Sequence, residues 1–207
     1  MAGNHHAVTA QEWFDPICPW AYLGTVTSRI VTGIGVHVTL APFELHPELS
    51  DQPTPIRVGG RLDQLHRRIE PMAEQLGLDF RPPTSTSSTR LALAAFAVVA
   101  RDQPELAEVT RHSLFRLRFV EDRSLSNRAE LTDALDRVGL DGASVMERAD
   151  DHRLAIDTAT AAARELGVDA TPSWRFSTGF LLTGVHEPEQ VRRWITRMTE
   201  RASTVGQ

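Results

Sequence analysis

One cysteine, Cys18, is the only thiol in the 207-residue chain, and it stands in Phe14-Asp15-Pro16-Ile17-Cys18-Pro19-Trp20-Ala21-Tyr22-Leu23-Gly24. Pro19 suits the first turn of a helix, where its missing N–H is not needed. Cys18 then falls at about the N-cap. A thiol there faces unpaired backbone N–H groups and the positive end of the helix dipole. Both favour thiolate over thiol and draw a pKa from ~8.5 towards ~3.5–7.5. The expectation is a partly exposed Cys18 with a lowered pKa. The opposing reading is a buried, inert cysteine that packs as a small hydrophobe.

Other residues could assist. Asp15 either anchors its loop or accepts a proton through water. Trp20, next after Pro19, is expected to stay exposed at the helix tip as a substrate wall. Tyr22 could send its hydroxyl to the cleft or its ring into the core. His46 follows a strand in Glu44-Leu45-His46-Pro47 and is either a substrate donor or merely solvated. Arg90 could reach in to bind a carboxylate or thioester oxygen, or point to water. No metal set emerges: His186-Glu187 lacks the second histidine of a zincin motif, and His5-His6 reads as tail. Gly33, Gly35, Gly59 and Gly60 form no phosphate-binding fingerprint, and no Gly-x-Ser-x-Gly is present.

The elements that must position these residues follow from periodicity. A strand is expected over 10–14 and a helix over 19–32, punctuated by Gly33 and Gly35. Val36, Val38 and Leu40 alternate with polar neighbours as a half-buried strand. From about 60 to 166 the pattern turns helical. Leu62, Leu65, Ile69, Met72 and Leu76 share one face, with a kink or break expected at Pro71. Leu106, Val109, Ser113, Leu117 and Val120 mark another face, with Arg111, Arg116 and Arg118 assigned elsewhere. Asn127 and Glu130 suit a capping box. Ala155, Ala159, Ala162 and Leu166 suggest a small-residue face. Strands return at 173–176 and 180–183 around a Ser-Thr-Gly turn, before a terminal amphipathic helix. This order describes an α/β, thioredoxin-like fold with an all-helical insertion. Residues 8–55 and 167–203 would form the thioredoxin-like domain, and 56–166 the helical one.

Asp-x-x-Cys-Pro-Trp-x-Tyr-x-Gly resembles the active-site signature of the DsbA-like thioredoxin-fold family, in its FrnE-like branch. The branch is also similar to the glutathione-dependent hydroxychromene-carboxylate isomerases. Ala41–Pro47, Glu74–Leu78 and Gly167–Ser173 match in order and spacing. The resemblance implies the same fold. It also implies that Thr171-Pro172 is a cis peptide facing Cys18, so that the Thr171 backbone could hold an extended substrate. One departure stands out: the family's redox members carry a second cysteine where this chain has Ala21.

Composition narrows the function. Twenty-two basic and 27 acidic residues give a net charge of −5, which disfavours a nucleic-acid partner. No apolar run approaches the ~18 residues of a membrane span, and residues 1–10 lack signal-peptide character, so a cytoplasmic site is expected. Every basic side chain is Arg and none is Lys, a bias expected of a GC-rich bacterial genome. A homodimer is compatible with all of this.

Thiol–disulfide exchange needs a second thiol to resolve the mixed disulfide. Without one at position 21, the expected chemistry is reversible addition of the Cys18 thiolate to a conjugated carbonyl, followed by bond rotation and elimination. The expected function is a cofactor-free cis–trans isomerase of a small-molecule or carrier-protein-bound acyl substrate. Cys18 is its nucleophile, and Trp20, Tyr22, His46, Arg90, Thr171 and Pro172 line its site. Two alternatives stay open: a monothiol oxidoreductase or transferase that uses glutathione or another small thiol, and a non-catalytic binding protein.

Overall fold

A computed structural model describes residues 8–205. His5 and His6 lie outside the described residues. A four-stranded sheet carries the order β2-β1-β5-β6, with β1 (Thr9–Phe14) parallel to β2 (His37–Pro42) and antiparallel to β5 (Ser173–Phe176). The last strand, β6 (Leu181–Thr183), pairs antiparallel with β5 through the expected turn, where Gly179 has φ +86°. Helix α1 (Pro19–Gly33) makes the crossover between the parallel strands, as a parallel pair requires. Together these elements are the thioredoxin core.

Between β2 and β5 run six helices: α2 (Arg61–Gln75), α3 (Arg90–Asp102), α4 (Ala107–Phe119), α5 (Arg128–Asp136), α6 (Gly142–His152) and α7 (Ala155–Glu165). The one strand pairing in this stretch joins β3 (Thr54–Pro55) to β4 (Ser85–Thr86). Helix α2 continues through Pro71 as a single element, so of the expected kink or two short helices the second is excluded. Asn127 caps α5 by accepting from the N–H groups of Ala129 and Glu130, whereas Glu130 reaches back to the Ser124 N–H. The cap is therefore half of a capping box. The closing helix, α8 (Pro188–Val205), lays Val191 and Ile195 against Ile30, Val31 and Trp174.

Two helical faces differ from expectation. On α7 the buried positions are Ile156, Thr160 and Ala163 rather than the Ala155/Ala159/Ala162 set. On α4, Arg111 and Arg118 are buried among Leu114, Phe115 and Leu117. Arg111 is wholly enclosed and donates to Glu12 on β1 (Nη1–Oε1 2.5 Å) and to Glu108 (Nη2–Oε1 2.6 Å). Ser28 of α1 donates to the other Glu12 oxygen at 2.6 Å. A second ion network spans Glu44, Arg90 and Asp157, which tie the end of β2 to α3 and α7.

Gly24 holds α1 against the loop that precedes β5. A Cβ there would sit 2.6 Å from Pro172 Cγ and 3.1 Å from the Trp174 ring. Gly24→Ala is therefore expected to destabilise the fold by about 1–3 kcal/mol, the usual range for overpacking, as measured by denaturant unfolding.

Candidate active site

Cys18 caps α1 in extended conformation (φ −82°, ψ 112°), with Pro19 opening the helix as the sequence implies. Its N–H donates to the Asp15 carbonyl at 3.0 Å, which closes a turn and sets the thiol over the first helical turn. The Thr171–Pro172 bond is cis. Thr171 thereby presents its carbonyl to Cys18, and the thiol donates to it at 3.3 Å. Pro172 lies behind this contact, against Gly24.

The thiol is not partly exposed; Cys18 is only 6% accessible. Burial pushes its pKa up to about 11, offset only in part by Thr171 and by the N–H groups of Ala21 and Trp20, while the charge of Asp15 adds to the rise. The expected lowering fails because it counted the helix end and not the enclosure by the surrounding chain. Desolvation of the thiolate outweighs the N–H groups. Alkylation of Cys18 is accordingly expected to keep accelerating past pH 9. A plateau below pH 8.5 would contradict this.

Asp15 is fully buried. Its carboxylate accepts from the N–H groups of Ile17 (3.2 Å) and Leu45 (2.8 Å), so it does anchor the loop. Burial nonetheless raises its pKa to about 6, against the lowering by those two hydrogen bonds. It is ionised at neutral pH and lies close enough for its charge to act on the thiol.

A cavity of about 500 Å³ opens beside Cys18. Cys18, Trp20 and Thr171 line it, joined by Leu45, His46 and Leu49 from the loop after β2, by Leu62, Leu65 and His66 of α2, and by Thr86 and Arg118. Trp20, 36% exposed, stands at the helix tip as expected. The exposed His46 ring pairs with Glu48 at 3.0 Å.

Three expected site residues do not line this space: Tyr22, Arg90 and Pro172, the last packed against Gly24 behind the Cys18–Thr171 contact. Tyr22 is buried in an aromatic stack with Phe119 and Phe115, and its hydroxyl donates to the Asp79 carbonyl at 2.7 Å. Its position one turn into α1 points it into the helical core. Arg90 donates to both oxygens of Glu44 and both oxygens of Asp157. With four of its five N–H donors held by two carboxylates, Arg90 ties three elements together instead of facing the cavity.

Two cavity residues escaped the sequence reading. His66 shares a helical face with Ile69 and Ala73, the spacing that marks a buried stripe on α2. Arg118 shares one with Arg111, Leu114 and Phe115, at 111, 114, 115 and 118. That spacing was present in the sequence, but arginine at those positions reads as surface. Burial lowers the His66 pKa to about 4, with the Arg118 charge adding to the shift. His66 is therefore neutral at physiological pH.

This is a thioredoxin fold whose helix-capping cysteine faces a cis-proline loop and has no second thiol one turn on. The DSBA-like thioredoxin domain matches residues 9–195, and the chain belongs to that family. It is 32% identical over 140 residues to the uncharacterized protein YwbO of Bacillus subtilis, across 66% of this chain and 69% of that one. In fold it resembles a probable DsbA oxidoreductase from Streptomyces coelicolor (TM-score 0.80, 19% identity, 92% and 89% of the two chains covered). It also resembles the cytosolic disulfide reductase DsbM of Pseudomonas aeruginosa, solved with GSH (TM-score 0.68, 19% identity, 93% and 99% covered). A third similar structure is a 2-hydroxychromene-2-carboxylate isomerase (TM-score 0.72, 15% identity, 95% and 97% covered). The solved structures similar in fold thus include thiol oxidoreductases and an isomerase.

Proposed function

We propose that the protein is a non-redox cis–trans isomerase of a conjugated acyl substrate, polyenoyl or aryl-propenoyl, with Cys18 as the covalent nucleophile. The observation that carries this reading is a single thiol in the wall of a largely apolar cavity, with fully buried Ala21 where a resolving cysteine would be needed. Disulfide exchange cannot be completed by one sulfur. Addition–elimination needs only one.

In the proposed step, Asp15 takes the thiol proton through a water as the sulfur lone pair attacks the β or δ carbon of the substrate. The π electrons move to the carbonyl oxygen as an enolate. The former double bond, now single, rotates. The enolate collapses, the C–S bond breaks, and its electron pair and the Asp15 proton return to sulfur. The reaction is balanced, consumes no co-reactant and requires no cofactor. The Trp20 and Ala21 N–H groups serve the sulfur rather than the enolate. The Thr171 hydroxyl, which also lines the cavity, eases the thiolate before attack and can donate to the enolate once the C–S bond has formed. Trp20 and the leucines supply an apolar wall. A FrnE-like protein of this kind would act in the cytoplasm on bacterial secondary metabolites. Among the described residues, no helix is long and apolar enough to cross a membrane.

A second reading is a monothiol oxidoreductase or transferase. It draws on the DsbM structure, which was solved with GSH. There Cys18 would form a mixed disulfide that a second small thiol resolves. The separating experiment incubates the protein with cis dienoyl and aryl-propenoyl acids and thioesters, without any added thiol, and follows isomer ratio by NMR. Thiol-independent isomerisation supports the first reading. Absence of isomerisation, together with a Cys18–glutathione mixed disulfide that forms from oxidised glutathione and is resolved by excess thiol in intact-mass spectra, supports the second.

A further inference from the structure

We propose that Arg118 is the seat of a ligand carboxylate in the cavity beside Cys18, which His66 also lines. The inference rests on the reading of that cavity as the substrate site, and it names the group by which the substrate is held.

Arg118 is 3% exposed, at the end of α4, and lines the cavity. Its Nη2 donates to the Ser85 carbonyl at 2.6 Å, while its buried Nε has no hydrogen-bond partner. Among the described residues, no carboxylate lies within 4.0 Å of its guanidinium. Asp122, the acid whose charge reaches it, spends both oxygens on Thr84. Buried Arg111 and half-buried Arg90 are treated differently. Arg90 and Arg111 each hold two carboxylates. A buried cation without its counter-charge is costly, and this one belongs to a residue that lines the cavity.

The orphaned groups cluster. Six buried side-chain polar atoms lack partners among the described residues, and three of them, Arg118 Nε, His66 Nδ1 and Thr171 Oγ1, belong to residues lining this one cavity with Cys18. A guanidinium that lacks a carboxylate partner suits pairing with one. A dianionic phosphate would call for more cationic donors than one arginine. Neutral His66 leaves Arg118 as the cation of the site. The ligand is then an acid whose carboxylate sits on Arg118 and whose reactive carbons reach Cys18. The same carboxylate chemistry could belong to the conjugated acid itself or to a small thiol such as glutathione.

The test is calorimetric titration of the whole protein with probes that cannot react. A saturated 3-arylpropanoate and its methyl ester make one pair, and S-methylglutathione and its dimethyl ester the other. The acid of one pair is expected to bind at least tenfold more tightly than its ester. Arg118→Met should erase that preference, and Arg118→Lys should keep part of it. Preference in the first pair assigns the carboxylate to the acyl substrate; preference in the second pair alone assigns it to a thiol co-substrate. Equal binding of acid and ester, no binding of either acid at millimolar concentration, or a preference that survives Arg118→Met overturns the proposal. The acid/ester comparison in the unmodified protein decides even if Arg118→Met fails to fold. Because these probes undergo no addition, such a failure leaves the Cys18 chemistry standing. Conversely, binding without isomerisation would sink the isomerase and not the carboxylate site.

Discussion

Cys18→Ala is expected to reduce isomerisation of the best conjugated substrate by about a thousandfold or more, the scale on which enzymes lose turnover when a covalent nucleophile is removed. Cys18→Ser should recover little, because a buried alcohol holds its proton far more tightly than a thiol. The mechanism carries a second signature. Asp15 titrates near pH 6, so the rate should rise as pH climbs through 6 and the carboxylate becomes available as proton acceptor. In Asp15→Asn that rise should vanish. Turnover by Cys18→Ala at the parent rate would eliminate the thiolate mechanism outright.

The second large effect concerns stability. Arg111 and Glu12 are both fully buried and lie 2.5 Å apart, joining α4 to the second strand from one edge of the sheet. Arg111→Met leaves Glu12 inside with no cation. Breaking such a pair from one side costs about 3–5 kcal/mol. Burial already raises the Glu12 pKa, and Arg111 is the largest force opposing the rise. Without it Glu12 should be neutral over a wider pH range. A raised folded-state pKa means that the native protein binds the extra proton. The penalty in Arg111→Met should therefore shrink as pH falls and grow as pH rises. The double variant Glu12→Leu/Arg111→Met should recover most of the loss, since replacing both charges by apolar groups is often neutral. Denaturant unfolding at pH 5 and pH 8 checks both statements. A single-variant loss that does not change with pH would refute the linkage.

Much of the fold was legible in the sequence. The strand–helix–strand opening around Cys18, the hairpin after Pro172 and the helical middle each carry local signals, namely proline at a helix start, glycine at turns and apolar spacing. The site was legible at Cys18, Trp20, His46 and Thr171, because they sit in or beside motifs. What hid was long-range. Nothing local in Thr89-Arg90-Leu91 reveals that Glu44 and Asp157 close on Arg90 from two other elements. The Tyr22 ring finds Phe80, Phe115 and Phe119 only after the helices assemble. Arg111 and Arg118 lie at core spacing on α4, yet hydropathy assigns arginine to water. The missed pKa of Cys18 has the same origin, since a helix end is visible in sequence and enclosure by distant loops is not.

The sheet's register bears on how the chain comes to be folded at all. Strand β1 pairs on one side with β2, made soon after it, and on the other with β5, where Glu12 lies opposite Trp174. During synthesis β1 therefore carries an open hydrogen-bonding edge until most of the polypeptide has emerged. The intervening helices can form early from local contacts, but they cannot cover that edge. Closing so long a loop makes the final pairing entropically demanding and slow relative to helix formation. A ribosome paused before residue 173 would thus expose a half-built sheet, the kind of species that recruits chaperones or aggregates.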